Sequence, residues 1–304
     1  MHQFLRLSQS YFTLCKPRVV LLMLITALVG MCLSTPANIP WQPLVFGLLG
    51  IALAAASAAA INHVIDRDLD KKMKRTERRP LVQGEIKTHQ AYIFAAILCV
   101  LSMLVLSLWV NMLVAAISFL TLVAYAVVYT VFLKHATPQN IVIGGIAGAA
   151  PPLLGWACVS NSIDPQALLL VLIIFIWTPP HFWALAIYRV DDYAKAKVPM
   201  LPNTHGIAYT KLNVSLYTAM LVAATLLPYA VGMLHELYLI FMLVLNGIYI
   251  YYNLRLQFSS QRLWAIKSFK FSIVYLFVLF VAMLVDHYYF FTLQYKFYSF
   301  FGGL

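Results

Sequence analysis

Apolar residues in this chain come in long, nearly unbroken runs, without the alternation of a half-buried strand or the three-and-four spacing of a surface helix. Runs of about 20 apolar residues are what a helix needs to cross a bilayer. Nine such spans can be laid along the sequence, at 19–35, 42–62, 91–109, 112–133, 140–159, 166–188, 211–233, 236–254 and 268–288. The third and fourth are separated only around Asn111, and fusing them would change the sidedness of the chain's ends. The longest polar stretch is 63–90, too short for a soluble domain. The expectation is an all-α integral membrane protein, a nine-transmembrane-helix bundle forming one domain over 1–304.

Composition strengthens this picture. Hydrophobic residues make up 62% of the 304 and charged residues 10%, with a mean hydropathy of +0.84. A soluble domain of that composition could not solvate its surface. The net charge of +11 would suit nucleic acid if it formed one face, but the basic residues sit in short segments between apolar runs. There they set topology, and no nucleic-acid partner is expected. With the N-terminus in the cytoplasm, nine spans put every one of the 21 Lys and Arg residues except Lys296 on the inner side. The C-terminus then lies outside. The first run lacks a small-x-small cleavage site on its distal flank and is expected to be a retained helix. No Arg- and Ser-rich transit segment precedes it, so the inner membrane of a bacterium is the expected location. Cys15, Cys32, Cys99 and Cys158 show no CxxC spacing and read as small core residues.

The charged residues are concentrated where the chemistry should lie. After the second span the chain reads Asn62-His63-Val64-Ile65-Asp66-Arg67-Asp68-Leu69-Asp70, followed by Lys71, Lys72, Lys74, Arg75, Arg78 and Arg79. If the helix continues past the membrane edge, Asn62, Asp66 and Asp70 drift only about 40° per step and form a stripe of oxygen ligands on one face. Mg²⁺ prefers such ligands, binding through one or two carboxylates and completing its shell with water and phosphate. Asp68 points elsewhere and is expected to pair with a neighbouring base. A plain solvated loop whose acids balance its bases would also carry these residues.

A second acidic cluster argues for more than that. Arg189-Val190-Asp191-Asp192-Tyr193-Ala194-Lys195 follows the sixth span, four helices later, so both clusters emerge on the same membrane face. Two carboxylate clusters flanked by Lys and Arg can hold a diphosphate through bridging Mg²⁺ and stabilise the charge that builds on it as it leaves. A long isoprenoid tail would dissolve in the bilayer while its diphosphate stayed at the aqueous edge.

Asn62-x3-Asp66-x3-Asp70 with Arg78-Arg79-Pro80-Leu81 resembles the first motif of the UbiA-type intramembrane prenyltransferases. Cys15-Lys16-Pro17-Arg18-Val19, the stretch Asn140 to Trp156, Trp177-Thr178-Pro179-Pro180-His181-Phe182-Trp183 and Val198-Pro199-Met200-Leu201-Pro202 resemble its haem-farnesylating branch. The likeness runs from about residue 15 to 210.

The resemblance implies the fold of that family and transfer of a farnesyl group from farnesyl diphosphate to the 2-vinyl group of protohaem, with water completing the side chain. It implies that Asp66 and Asp70 ligate Mg²⁺ with Asn62 assisting, and that Asp191 and Asp192 serve a second ion or orient the diphosphate, Asp192 as its ligand. Lys72, Arg75 and Arg79 would meet the leaving phosphates, with Arg189, Tyr193 and Lys195 as further substrate contacts. The wider family spaces the second-motif acids by four. Here Arg189 and Tyr193 occupy those positions and the acids are adjacent, about 100° apart on a helix, so one of them would reach a metal.

His63 and His181 are the candidate haem contacts, to iron or to a propionate, each weighed against a core histidine bonded to a neighbouring helix. His205 is a weaker candidate. Gly144, Gly145, Ala147, Gly148 and Ala149 suit close helix packing, with Pro151-Pro152 as a break, and the same features could shape a prenyl cavity. Trp156, Trp177 and Trp183 read as packing or interface anchors. A sister enzyme prenylating an aromatic acid for quinone synthesis would share the diphosphate end. A transporter would place charge at mid-membrane or show paired broken helices. Expected partners are the bilayer and haem-modifying or terminal-oxidase assembly proteins.

Overall fold

The computed structural model describes residues 2–35, 38–73, 76–196 and 198–301. It is helical throughout, with no strand among the described residues. The helices are α1 (His2–Leu14), α2 (Pro17–Leu33), α3 (Pro43–Ile65), α4 (Thr88–Trp109), α5 (Met112–Leu133), α6 (Asn140–Ser160), α7 (Pro165–Tyr188), α8 (Gly206–Ala230), α9 (Glu236–Phe258) and α10 (Leu263–Phe301). Among the described residues, α3 to α10 are eight helices long and apolar enough to cross a membrane, and α1 with α2, bent by 51°, makes a ninth. The bend falls at Lys16, in the left-handed region at φ 49°. Eight of the expected spans are thus single helices, and the first, expected at 19–35, falls on α2 of the bent pair.

The boundary between the third and fourth spans is made by Asn111. Its Oδ1 accepts from Val114 N–H at 2.8 Å, capping α5. Its Nδ2 donates to the Ala157 carbonyl of α6 at 2.9 Å. One side chain thus starts a helix and ties it to another, which is why a polar residue interrupts a run of 40-odd apolar ones. Pro151-Pro152 interrupts α6 only at Ala150, and the helix resumes at Pro151, where proline's missing N–H costs nothing.

Helices α2 and α6 touch backbone to backbone. A Cβ on Gly30 would overlap the Pro152 carbonyl, and one on Gly155 would overlap that of Ala27. Without a hydrophobic driving force between helices in lipid, such close approach is what holds a pair together.

Away from the loops, Asp286 of α10 is fully buried and caps α9. It accepts from the backbone N–H groups of His235 (2.8 Å) and Tyr238 (2.9 Å), and His235 Nδ1 lies 3.2 Å away. Asp286→Ala leaves two backbone donors unpaired and is expected to cost about 1–3 kcal/mol. A thermal melt in detergent that shifts by less than the scatter between preparations would exclude this role.

Candidate active site

The helix of α3 does carry on past Ile65. Asp66 N–H donates to the Asn62 carbonyl at 2.9 Å and Asp70 N–H to the Asp66 carbonyl at 2.8 Å, with Arg67–Asp70 forming a further short helix. Asn62, Asp66 and Asp70 therefore share a stripe, as the spacing predicts, and each is only 4% exposed. Asp68 faces out and pairs with Lys71 at 2.8 Å, a hydrogen bond that holds its carboxyl below the ordinary value.

Two buried carboxylates are costly unless paired, and each has a cation. Lys134 Nζ sits 2.6 Å from Asp66 Oδ2, and Arg79 Nη1 2.5 Å from Asp70 Oδ2. Lys16 Nζ donates to Asn62 Oδ1 at 2.5 Å. Asn62 Nδ2 in turn reaches Asp66 Oδ2 at 3.0 Å and Thr130 Oγ1 at 3.3 Å. Burial pushes the Asp70 carboxyl above its ordinary value, against the pull of Arg79. Asp66 Oδ1 is buried and has no hydrogen-bond partner. An unpaired carboxylate oxygen, beside a second carboxylate one turn away, is a donor set that fits a hard divalent cation. No three His, Cys, Asp or Glu side chains converge on a metal site among the described residues. Such an ion would therefore draw its remaining ligands from water and substrate phosphate.

The stripe forms the polar end of a cavity of about 1070 Å³, at the upper limit of the roughly 300–1,000 Å³ usual for a single small ligand. Lys16, Arg79 and Lys134 share that end, and apolar side chains such as Val29, Ile51, Leu122 and Phe280 line the rest. Over Ala124–Leu133 α5 is wound as a π-helix, a form concentrated at functional sites. Thr130 Oγ1 donates to the Tyr125 carbonyl five residues back at 2.8 Å. Tyr125 and Tyr129, stacked with centroids 5.6 Å apart, line the cavity. Gly144 gives Tyr129 its space, since a Cβ there would overlap the ring. The small-residue run thus shapes the cavity: Gly144, Gly145, Ala147 and Gly148 all line it. Between α2 and α10 the wall is made by Leu22, Ile25, Phe277 and Val281, which are also exposed on the outer apolar surface. Each of the four is at least 36% exposed.

The second acidic cluster is arranged otherwise than expected. Of its residues only Tyr193 lines the cavity. Asp191 is exposed and held by Arg262 at 2.6 Å, and Asp192 pairs with Arg189 at 3.6 Å. Neither acid reaches the cavity. The acids instead meet Arg262 and Arg189 away from the cavity wall. Lys72 and Lys195 are exposed and off the cavity wall, and Arg75 lies outside the described residues. His63 is buried off the wall with Nδ1 unpartnered, whereas His181 is on it. His205 is exposed beside Thr204. Trp156 and Trp183 are packing residues, and Trp177 lines the cavity. Sequence reasoning missed Lys134, Tyr125, Tyr129 and Thr130, and gave Lys16 no role. The available signal was a lysine at the very end of an apolar span, next to tyrosines at i and i+4.

Residues 23–284 match the UbiA prenyltransferase family, and the chain belongs to that family. It is an intramembrane prenyltransferase, which removes the transporter alternative. A protoheme IX farnesyltransferase of Coxiella burnetii is 58% identical over 286 residues, covering 94% of each chain. A protoheme IX farnesyltransferase 2 of Pseudoalteromonas atlantica is 55% identical over 284 residues, covering 93% of each. Among solved structures, a digeranylgeranylglyceryl phosphate synthase superposes with TM-score 0.80 at 20% identity, over 95% of this chain and 99% of that one. A UbiA homologue from Archaeoglobus fulgidus bound to GPP and Mg²⁺ gives 0.61 at 20% identity, over 90% and 99%. At that identity the structural likeness speaks for the fold.

Proposed function

We propose that this chain transfers the farnesyl group of farnesyl diphosphate to the 2-vinyl group of protohaem, water adding to the neighbouring carbon to give the hydroxyethylfarnesyl side chain of haem O. The observation that carries this is the buried Asp66–Asp70 pair, with Lys16, Arg79 and Lys134 around it, at the polar end of a long apolar cavity. Relatives more than half identical along nearly the whole chain support the choice of substrates.

Asp66 and Asp70 would hold Mg²⁺, with Asn62 assisting through its hydrogen bond to Asp66. When bound, that ion supplies positive charge to the diphosphate oxygens as the carbon–oxygen bond breaks. Arg79, Lys134 and Lys16, which line the same cavity end, would turn from the carboxylates and Asn62 to the phosphates, so that charge is compensated before and after the leaving group departs. The apolar walls keep water from the allylic cation until the vinyl group has reacted. Asp192, off the cavity wall and 3.6 Å from Arg189, would be the ligand of a second ion. The enzyme would act as one membrane domain in the bacterial inner membrane, the Asp66–Asp70 end and the N-terminus cytoplasmic and the C-terminus outside. The clustering of basic residues in the loops at that end supports this.

Purified protein with Mg²⁺, protohaem and farnesyl diphosphate is expected to yield a porphyrin heavier by one farnesyl group and one water, resolved by mass. Prenylated hydroxybenzoate with no altered porphyrin would point instead to the quinone-pathway sister reaction.

A further inference from the structure

His181 lies well inside α7, where a polar group facing lipid would be expensive. Among the described residues it is the one histidine on the cavity wall. Its ring is held from two elements. Trp177, one turn earlier on α7, stacks on it with centroids 4.2 Å apart, and Phe269 of α10 stacks at 4.5 Å. Trp177 is itself fixed, its Nε1 donating to the Ser272 carbonyl at 2.9 Å. Stacked rings cover imidazole faces and leave the ring edge as the reactive direction.

The protonation of that edge follows from Ser272. Its Oγ donates its single proton to the Phe269 carbonyl at 2.7 Å and lies 2.6 Å from His181 Nδ1. Having no second proton, the hydroxyl accepts from Nδ1. Nδ1 therefore carries the hydrogen and Nε2 keeps the lone pair, a tautomer assigned from this network. A neutral imidazole whose Nδ1–H is anchored by a second group, with Nε2 free, is the usual form of a histidine metal ligand. His63 shows none of this: it is off the cavity wall and its Nδ1 has no partner.

We propose that His181 Nε2 is the axial ligand that seats the iron of the porphyrin acceptor, with Ser272 as the positioning residue that fixes the ring. This rests on the haem reading above and names the group that recognises the acceptor. An axial ligand sets the macrocycle across the iron–nitrogen bond, so one nitrogen at the apolar wall orients a large planar substrate with few other polar contacts.

The test is a titration of the full-length protein in lipid nanodiscs with ferric protohaem, read by Soret absorption and electron paramagnetic resonance. The unsubstituted protein is expected to give an imidazole-ligated spectrum. His181→Ala loses that signature and binds haem at least about tenfold more weakly, and free imidazole restores the signature. Ser272→Ala keeps ligation but shifts the Soret band and weakens binding about tenfold. His63→Ala keeps the signature. If His181→Ala fails size exclusion, His181→Gln, which can still donate to Ser272, carries the same expectation. A His181 variant with unaltered spectrum and affinity overturns the assignment, as does loss of the signature in His63→Ala. Those results would leave haem as the substrate. An unsubstituted protein that takes up no haem would overturn both the assignment and the haem reading.

Discussion

Asp66→Ala is expected to leave a folded protein with turnover reduced by at least about a thousandfold, and Asp70→Ala to do the same. Removing one preorganised group that stabilises developing charge typically costs 10²–10³ in rate, and here the lost group would also be an ion's ligand. Folding should survive. The bases left behind, Lys134 and Arg79, keep 13% and 18% of their side-chain surface exposed and line the cavity, so each can turn into it. The decisive measurements are turnover under saturating substrate and the Mg²⁺ dependence of farnesyl diphosphate binding by calorimetry. Turnover within tenfold of the unsubstituted enzyme in either variant would remove that residue from the ion's shell. Asp191→Ala makes a useful contrast, because its carboxylate is committed to Arg262 away from the cavity. Its loss is expected to change turnover by less than threefold.

Gly155→Val is expected to prevent folding. The new Cβ would meet the Ala27 carbonyl of α2, a backbone atom with no rotamer to change. Overpacking a core commonly costs about 1–3 kcal/mol when side chains can yield. Here α2 itself would have to move, carrying Lys16 away from Asn62. No monodisperse protein should be recovered in detergent. Gly247→Ala, with open space around its Cβ position, should purify and melt like the parent. Recovery of stable Gly155→Val would show that the α2–α6 contact is looser than described.

Much of the fold was legible because a bilayer makes a crude demand: about 20 apolar residues per crossing, with basic residues left at one side. The Asn62–Asp66–Asp70 stripe was legible because three residues on one helix obey its period whatever surrounds them. What the sequence hid were relations between distant segments. Lys134 reads as one more topological charge until α5 is packed beside α3 and its amine lands on Asp66. Asp191 and Asp192, expected beside the first cluster, lie off the cavity wall, which no local pattern shows. Loop sidedness follows from counting spans, whereas the partner Asp191 meets, Arg262, is more than 70 residues away in sequence. Nor does any local pattern announce ten residues of π-helix in α5, within which Thr130 Oγ1 bonds the carbonyl five residues back.

The exposed apolar side chains where the cavity meets α2 and α10 bear on kinetics. Substrate and product with greasy tails would pass through hydrocarbon on both legs, so the quantity that sets the encounter rate is a mole fraction within the lipid, not molarity in the buffer. Diluting reconstituted enzyme with empty vesicle lipid at constant volume would then slow catalysis, even though every bulk concentration stayed the same.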